Sequence, residues 1–468
     1  MLVTEEVCRL QEVKVLSPTA ILGYGFPDAS FQRGLSMQPD AIAVDAGSTD
    51  PGPHYLGSGK SFTDRLAVKR DLLRMIEAAL AQRIPLLIGS AGGAGAKPHL
   101  DWCAEIIAEC LTELGQTAQV AIIAADQDVG DILHALHEQR ISPLGPVFPL
   151  TEAHITESTH VVAQMGTEPI LKALDAGAEI ILAGRCYDPA VFAAVPIRAG
   201  LPESLALHMG KILECAAIAA TPGSGSDCML GVIDQDGFVL EPMNPDRSCT
   251  VTSVAAHTLY EKSDPRFLPG PGGVLDLSEC QFQALDGRRV RVSGTTFQAD
   301  ATYRVKLEGA RQVGFRTISI AGVRSPDFIA SLDAILETTR SAVFANFEDI
   351  DPADATLLFH CYGRDGVMGP LEPKRDAVPH EIGLVIEVTA QTQALADTLC
   401  AFARSTLLHL GYPGRQSTAG NLAFPYSPSD VALGSVFAFS LYHLMQVDDP
   451  LAPFPIEYRL MGDLHEIG

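Results

Sequence analysis

The chain has 468 residues, 47% of them hydrophobic and 19% charged, which gives apolar surface for two or three domains and excludes a largely disordered protein. Acidic residues outnumber basic ones, 57 to 33, for a formal charge of −24; that field repels polyanions and argues against nucleic acid, while a local cluster of cations still admits a small anionic metabolite. Ten cysteines without a C-x-x-C provide neither a zinc ribbon nor a disulfide framework and read as buried, reduced thiols.

Met1 to Leu10 is acidic and lacks the apolar core of a signal peptide. The longest apolar runs, such as Val120 to Ala125, fall far short of the roughly 20 residues a bilayer span needs. The expectation is a soluble, cytoplasmic protein with no membrane partner.

Taken in order, Val13 to Leu16 and Ile21 to Tyr24 are weak strand candidates. Ala41 to Val44 is a stronger one, apolar on both faces as an interior parallel strand must be. It runs into Asp45-Ala-Gly-Ser-Thr-Asp-Pro-Gly-Pro53, a loop of small residues, hydroxyls and two carboxylates. Thr63 or Asp64 is placed to cap a helix over Arg65 to Arg83, with Leu66, Leu73, Ile76 and Leu80 on one stripe.

The unit then repeats. Leu86 to Ile88 reads as a strand, Gly89 to Lys97 as a glycine-rich loop, and Pro98 opens a helix to Leu114. Val120 to Ala124 is a strand ending in Asp126 and Asp128, followed by a helix over Asp131 to Gln139. Leu171 to Leu174 looks helical, and Glu179 to Leu182 is a strand whose exit loop is Ala183-Gly-Arg-Cys-Tyr-Asp-Pro189. Strands alternating with helices predict an α/β, doubly wound parallel sheet in the N-terminal domain.

Helices are expected over Glu203 to Ala219 and Val251 to Lys262, and Pro269-Gly-Pro-Gly-Gly273 is the strongest break. A boundary there gives an α/β domain over 1–270 and a smaller α+β domain over 271–468. In the latter, Arg289 to Val292, Tyr303 to Leu307, Thr317 to Ile320, Leu357 to Cys361 and Leu384 to Val388 read as strands. Ser325 to Ala345 and Ala394 to Leu410 read as helices.

Ligands of parallel sheets bind beyond the carboxyl ends of the strands, so four exit loops are expected to converge. They bring Asp45, Ser48, Thr49 and Asp50; Ser90 with Gly92 and Gly93; Asp126 and Asp128; and Arg185, Tyr187 and Asp188. Asp45 and Asp50 make an acid/base pair if one is desolvated; the alternative is a turn at Asp50-Pro51 with Asp45 bound to backbone amides. Gly89, Gly92, Gly93 and Gly95 do not form G-x-G-x-x-G in register, and Lys97-Pro98 is no P-loop. Their amides suit a carboxylate or phosphate; tight backbone packing explains them equally.

Arg185 has the fork that grips a carboxylate, with a structural bridge to Asp188 as the rival. Two helices carry polar side chains at helical spacing: His208, Lys211 and Cys215 on one, and Ser253, His257 and Glu261 on the other. No H-E-x-x-H spacing is present, so no metal or other cofactor is assigned, although ligands from several loops leave room for a divalent ion. No G-x-S-x-G elbow supports a serine nucleophile.

Several stretches together resemble the AtuA family, named for acyclic terpene utilisation. They are the Asp45–Pro53 loop, Ile88-Gly-Ser-Ala-Gly-Gly-Ala-Gly95, Ala183-Gly-Arg-Cys-Tyr-Asp-Pro-Ala190, His208-Met-Gly-Lys-Ile-Leu-Glu-Cys215, Ser253–Lys262 and Asn421-Leu-Ala-Phe-Pro-Tyr-Ser-Pro-Ser429. The resemblance runs from about residue 20 to 430. It implies a catabolic setting without a reaction, and a small additional domain in some members that this chain is expected to lack and that a separate small subunit would replace.

The functional expectation is a hydro-lyase or isomerase acting on a small branched or unsaturated carboxylic acid or its acyl-CoA ester. Asp45 or Asp50 would be the base; Arg185 with the Gly92 and Gly93 amides would hold the carboxylate; His257 or His208 would return a proton. Ser48, Thr49, Ser90 and Asp188 complete the binding set, and a homo-oligomer is expected. A hydrolase or acyl transferase using Ser48, Ser90 or Cys186, and a non-catalytic subunit for a small partner, are the alternatives.

Overall fold

The structure is a computed structural model that describes residues 12–261, 264–347, 350–351, 354–416 and 419–462. The Met1–Leu10 reading and the expected helix end at Lys262 lie outside the described residues. Contacts divide the chain into two compact units, one of Met1–Arg311 with Phe439–Gly468, the other of Gln312–Ala438.

In the first unit, five parallel strands form the centre of a ten-stranded sheet. Their spatial order is Val13–Ser17, Ala41–Asp45, Leu86–Gly89, Ile180–Ala183 and Ala118–Ile123. Alternation sends Ala41, Ala43, Leu87 and Ile181 into one buried cluster and Ile42, Val44, Ile88 and Leu182 into another. Both faces are therefore apolar, which is why these strands read as continuous hydrophobic runs.

Helices Asp28–Ser36, Arg65–Gln82 and Lys97–Leu114 supply one face through Phe31, Leu72, Met75 and Ile107. Helices Glu168–Asp175, Ala190–Arg198 and Glu203–Leu213 supply the other through Ile170, Phe192 and Met209. Asp64 caps Arg65–Gln82, accepting from the Leu66 amide at 2.9 Å. The buried stripe of that helix is Val68, Leu72, Met75, Ile76 and Ala79, whereas Leu66 is exposed. The expected stripe was rotated because Leu66 lies in the first turn, ahead of the contact with the sheet.

The parallel centre has antiparallel flanks. Beyond Val13–Ser17 come Met229–Ile233, Phe238–Pro242, Val290–Ser293 and Gln281–Ala284; beyond Ala118–Ile123 comes Ile456–Met461. The sheet is thus mixed rather than purely parallel. Pro269–Gly273, read above as a boundary, is a tight connection between Phe267–Gly270 and Gly273–Asp276 inside the first unit, and Thr296–Ala299 adds a third strand. Glycine and proline mark a turn whether or not a domain ends there. Strand Arg304–Val323 pairs its Lys306–Arg311 portion with Ser158–Gln164, which brings Glu308 into the first unit.

The second unit has an antiparallel sheet of Ala355–Tyr362, Ile382–Ala390 and the Phe315–Val323 portion of the long strand. Helices Leu332–Asn346 and Gln393–His409 bury Ile335, Val343, Leu399 and Ala403 in a core with Leu357, Leu384 and Ile386. His360 and Arg316 both meet Glu387, at 2.7 and 2.8 Å, and Asn421 donates to the carbonyls of Leu407 and Leu410. These residues tie this unit together internally.

One buried carboxylate fixes the loop after the first strand. Asp71 has no solvent exposure; its Oδ2 accepts from the Gly23 and Gly25 amides at 3.0 and 2.9 Å, and its Oδ1 from Arg70 Nε at 3.0 Å. Replacing Asp71 with Leu strands the buried Gly25 amide and the half-buried Gly23 amide, so Asp71→Leu is expected to lose about 3 kcal/mol in denaturant unfolding. A loss below about 0.5 kcal/mol, the size of an ordinary surface change, would show that the loop is held by other contacts.

Candidate functional site

Three of the four exit loops meet in the first unit, and the joint is made of backbone. Ser90 and Ala91 donate their amides to the Gly184 and Ala183 carbonyls, at 3.1 and 3.0 Å, and the Arg185 amide donates to the Gly95 carbonyl at 3.2 Å. Gly95 has φ +69°, and a Cβ there would collide with the backbone of Arg185. No other residue permits this approach. Gly93 donates its amide to the Ser90 carbonyl at 2.8 Å, Gly92 packs on the His99 ring, and neither lines the cleft described below. The glycines serve close packing, so the expected anion-binding role of Gly92 and Gly93 is not supported.

Arg185 emerges from this joint almost fully buried. Its Nε donates to Glu308 Oε2 at 2.7 Å; its Nη1 donates to Asp188 Oδ1 and the Cys186 carbonyl, both at 2.8 Å, and to Ser90 Oγ at 3.0 Å. Nη2 has no hydrogen-bond partner among the described residues. Glu308, also without exposure, receives Lys306 Nζ at 2.6 Å and the Thr49 hydroxyl at 3.0 Å on Oε1. Burial pushes the Glu308 carboxyl up, but Arg185 and Lys306 outweigh it and hold it down at about 2. Burial pulls Arg185 down, and Glu308 and Asp188 more than restore it.

A second pair lies on the helix Glu203–Leu213 and its end, where Lys211 meets Glu214. Burial lowers the Lys211 ammonium, and Glu214 overcompensates, so it stays charged. Three cations, Arg185, Lys211 and Lys306, thus stand against three carboxylates, Asp188, Glu214 and Glu308. Asp45 is a fourth carboxyl in this group. It is raised well above its ordinary value by burial first and then by Asp188 and Glu214, and its Oδ1 has no hydrogen-bond partner among the described residues. Burial and these two carboxylates favour its protonated form.

Arg185, Asp188, Lys211, Lys306 and Asp50 share the wall of a cleft of about 610 Å³. Tyr187, Gln164, Glu261, Asp300 and Arg304 complete its polar side; Leu144, Val274, Tyr442 and Leu444 give it an apolar side. Lys306 Nζ lies 4.3 Å from the Tyr442 ring centroid. Ser48 donates to Asp50 Oδ2 at 2.8 Å and accepts the Asp50 amide at 3.1 Å, orienting an exposed carboxylate at the rim.

Other expected residues lie elsewhere. His208 is sealed in the core between the Thr295 and Thr258 hydroxyls, at 2.7 and 3.0 Å, and burial lowers it to about 3. His257 stacks on Tyr260 and is lowered to about 4 by burial and then by Lys211. Both imidazoles are neutral and neither lines the cleft, so neither serves as the expected proton donor. Ser253 forms a capping box with Thr250 at the start of helix Val251–Thr258. Asp128 caps Val129–His137, and Asp126, raised to about 6 by burial, is also outside the cleft. Cys186 is fully buried with its thiol pushed up to about 12 by burial, and Ser90 Oγ is occupied by Arg185; both count against a buried nucleophile.

Sequence reasoning missed Glu308, Lys306 and Tyr442. Lys306 and Glu308 sit two apart in Arg-Val-Lys-Leu-Glu308, a same-face pair in a strand. Among the described residues, no group of three or more His, Cys, Asp and Glu is placed to hold a metal ion, and no helix is long and apolar enough to cross a membrane.

Residues 60–427 match the model of the acyclic terpene utilisation family protein AtuA. The chain belongs to the AtuA family. Membership links it to the utilisation of acyclic terpenes, a catabolic setting, and names no reaction. Of the site, Ser90, Arg185, Asp188, Lys211, Lys306 and Glu308 fall inside the matched segment; Asp45 to Asp50 and Tyr442 fall outside it. Comparison with curated proteins and with solved structures gives no match.

The two buried acids and bases have opposite pH signatures. Burial and its carboxylate neighbours raise Asp45 in the folded chain above its unfolded value of 3.8, so its contribution to stability falls as pH rises from 3.8 towards its folded pKa. His208 stays neutral when folded and takes a proton below 6.5 when unfolded, so its contribution falls as pH drops from 6.5 towards about 3. Asp45→Asn should therefore gain on the parent as pH rises, and His208→Gln should gain as pH falls. The limiting slope is about 1.4 kcal/mol per pH unit. Denaturant unfolding across pH checks this; parallel curves for parent and Asp45→Asn would mean that Asp45 is ionised in the fold.

Proposed function

We propose that the chain is a hydro-lyase or isomerase acting on a small branched or unsaturated carboxylic acid, or its thioester, by removing a proton next to the carbonyl. The observation that carries this reading is Arg185. Its Nε and Nη1 are tied to protein acceptors while Nη2 has none among the described residues, on a side chain that lines the cleft. A guanidinium fixed in this way is oriented before the ligand arrives, and little freedom is lost when a carboxylate binds.

In this reading Arg185 and Lys306 bind the carboxylate or carbonyl oxygen, and the hydrocarbon lies against Leu144, Val274 and Leu444. Asp50, oriented by Ser48, removes the proton from the carbon next to the carbonyl. The electron pair moves into that carbonyl, and the Lys211 ammonium opposes the charge that develops on oxygen. Asp50, now a neutral acid, gives the proton either to a leaving hydroxyl, which departs as water, or to another carbon, which yields the isomer. The family's terpene setting agrees with a branched, unsaturated substrate.

Turnover tests the assignment. With branched hydroxy acids and their unsaturated counterparts, or the corresponding thioesters, Asp50→Asn should lower kcat by about a hundredfold or more without moving the unfolding midpoint. Retained turnover in that variant would remove Asp50 from the mechanism.

A further inference from the structure

Strand Ile456–Met461 is an outer strand of the ten-stranded sheet. Its inner side pairs with Ala118–Ile123 in unbroken antiparallel register, from Ile456 opposite Ile123 to Met461 opposite Ala118. No strand pairs with its other side among the described residues. Glu457, Tyr458, Arg459 and Leu460 are all exposed, Tyr458 to 45% and Leu460 to 52%. Folded proteins usually protect such an edge with lysine, proline or a bulge. This one has none of them and carries two large apolar side chains on one face.

The order of residues is self-complementary. Ile456-Glu457-Tyr458-Arg459-Leu460 reads apolar, acidic, aromatic, basic, apolar. Turned end for end about Tyr458, it places Glu457 opposite Arg459, Arg459 opposite Glu457, and Ile456 opposite Leu460. Within one chain Arg459 already holds Glu457, through Nε to Oε1 at 2.6 Å and Nη2 to Oε2 at 2.7 Å. Two such pairs side by side make an alternating network of four charges. Opposite charges across an antiparallel pair stabilise it, and like charges oppose it. A two-fold axis requires the same patch to match itself, and this segment does.

We propose that Ile456–Met461 pairs antiparallel with the same strand of a second copy of this chain, about a two-fold axis at Tyr458, so that one sheet continues across a homodimer.

Sedimentation velocity of the full chain at roughly 10–100 micromolar tests the pairing, because a single strand pair supports only a modest affinity. The unmodified chain should show a concentration-dependent dimer. Glu457→Arg alone and Arg459→Glu alone each set like charges against each other at both crossings and should weaken the dimer about tenfold or more. An equimolar mixture of the two variants sets cation against carboxylate at both crossings and should recover a dimer. A monomeric parent, single variants that dimerise like the parent, or a mixture that stays monomeric would each overturn the proposal. Hydrogen exchange on the parent gives a readout independent of substitution: the outward amides of Tyr458 and Leu460 should slow as the protein is concentrated, and concentration-independent exchange there would also overturn it.

Discussion

Glu308 places a carboxylate where no water reaches it, and Arg185 and Lys306 converge on its two oxygens from separate parts of the chain. A charge so buried is costly unless it is paired and hydrogen-bonded. Here each partner also requires the other: Arg185 loses its main counter-charge without Glu308, and Glu308 is left facing Lys306 and Thr49 alone without Arg185. The cluster aligns the guanidinium and leaves Nη2 without an acceptor among the described residues. The cleft's chemistry depends on this arrangement more than on any residue at its rim.

The parallel centre of the sheet explains how these groups come together. Ala41–Asp45, Leu86–Gly89 and Ile180–Ala183 are neighbours, so their exit loops leave the sheet side by side. The backbone joint of Ser90, Ala91 and Gly95 with Ala183 to Arg185 then locks two of those loops. Ser90 adopts φ +46°, an uncommon conformation for a side-chain-bearing residue, and its hydroxyl accepts from Arg185. Strain at that position is opposed by the hydrogen bonds it makes possible. The raised pKa of Asp45 follows from the same crowding: burial comes first, and Asp188 and Glu214 add to it.

Much of the parallel centre was legible because its strands are apolar on both faces and end in small or glycine-rich residues. Asp50, Arg185 and Asp188 were legible for the same reason, as residues of strand exits. The antiparallel flanks were harder to see. Met229–Ile233 and Phe238–Pro242 are five residues each, joined by a turn in which Asp234 accepts the Asp236 and Gly237 amides; the turn was present in the sequence but the strands are short. Glu308 could not be read as part of the site because it arrives from a strand more than 120 residues after Arg185, and sequence order says nothing of that approach. His208 shows the converse. Its spacing with Lys211 suggested a shared polar face, yet one side chain lines the cleft and the other is closed in by threonine hydroxyls.

The account rests on Arg185 as the anchor for an organic anion. A crystal structure with a branched, unsaturated carboxylic acid bound tests that most directly. The account predicts a carboxylate oxygen within hydrogen-bonding distance of Arg185 Nη2, with the hydrocarbon toward Leu144 and Leu444. An acid bound elsewhere, with Nη2 taken up by a protein acceptor, would contradict it.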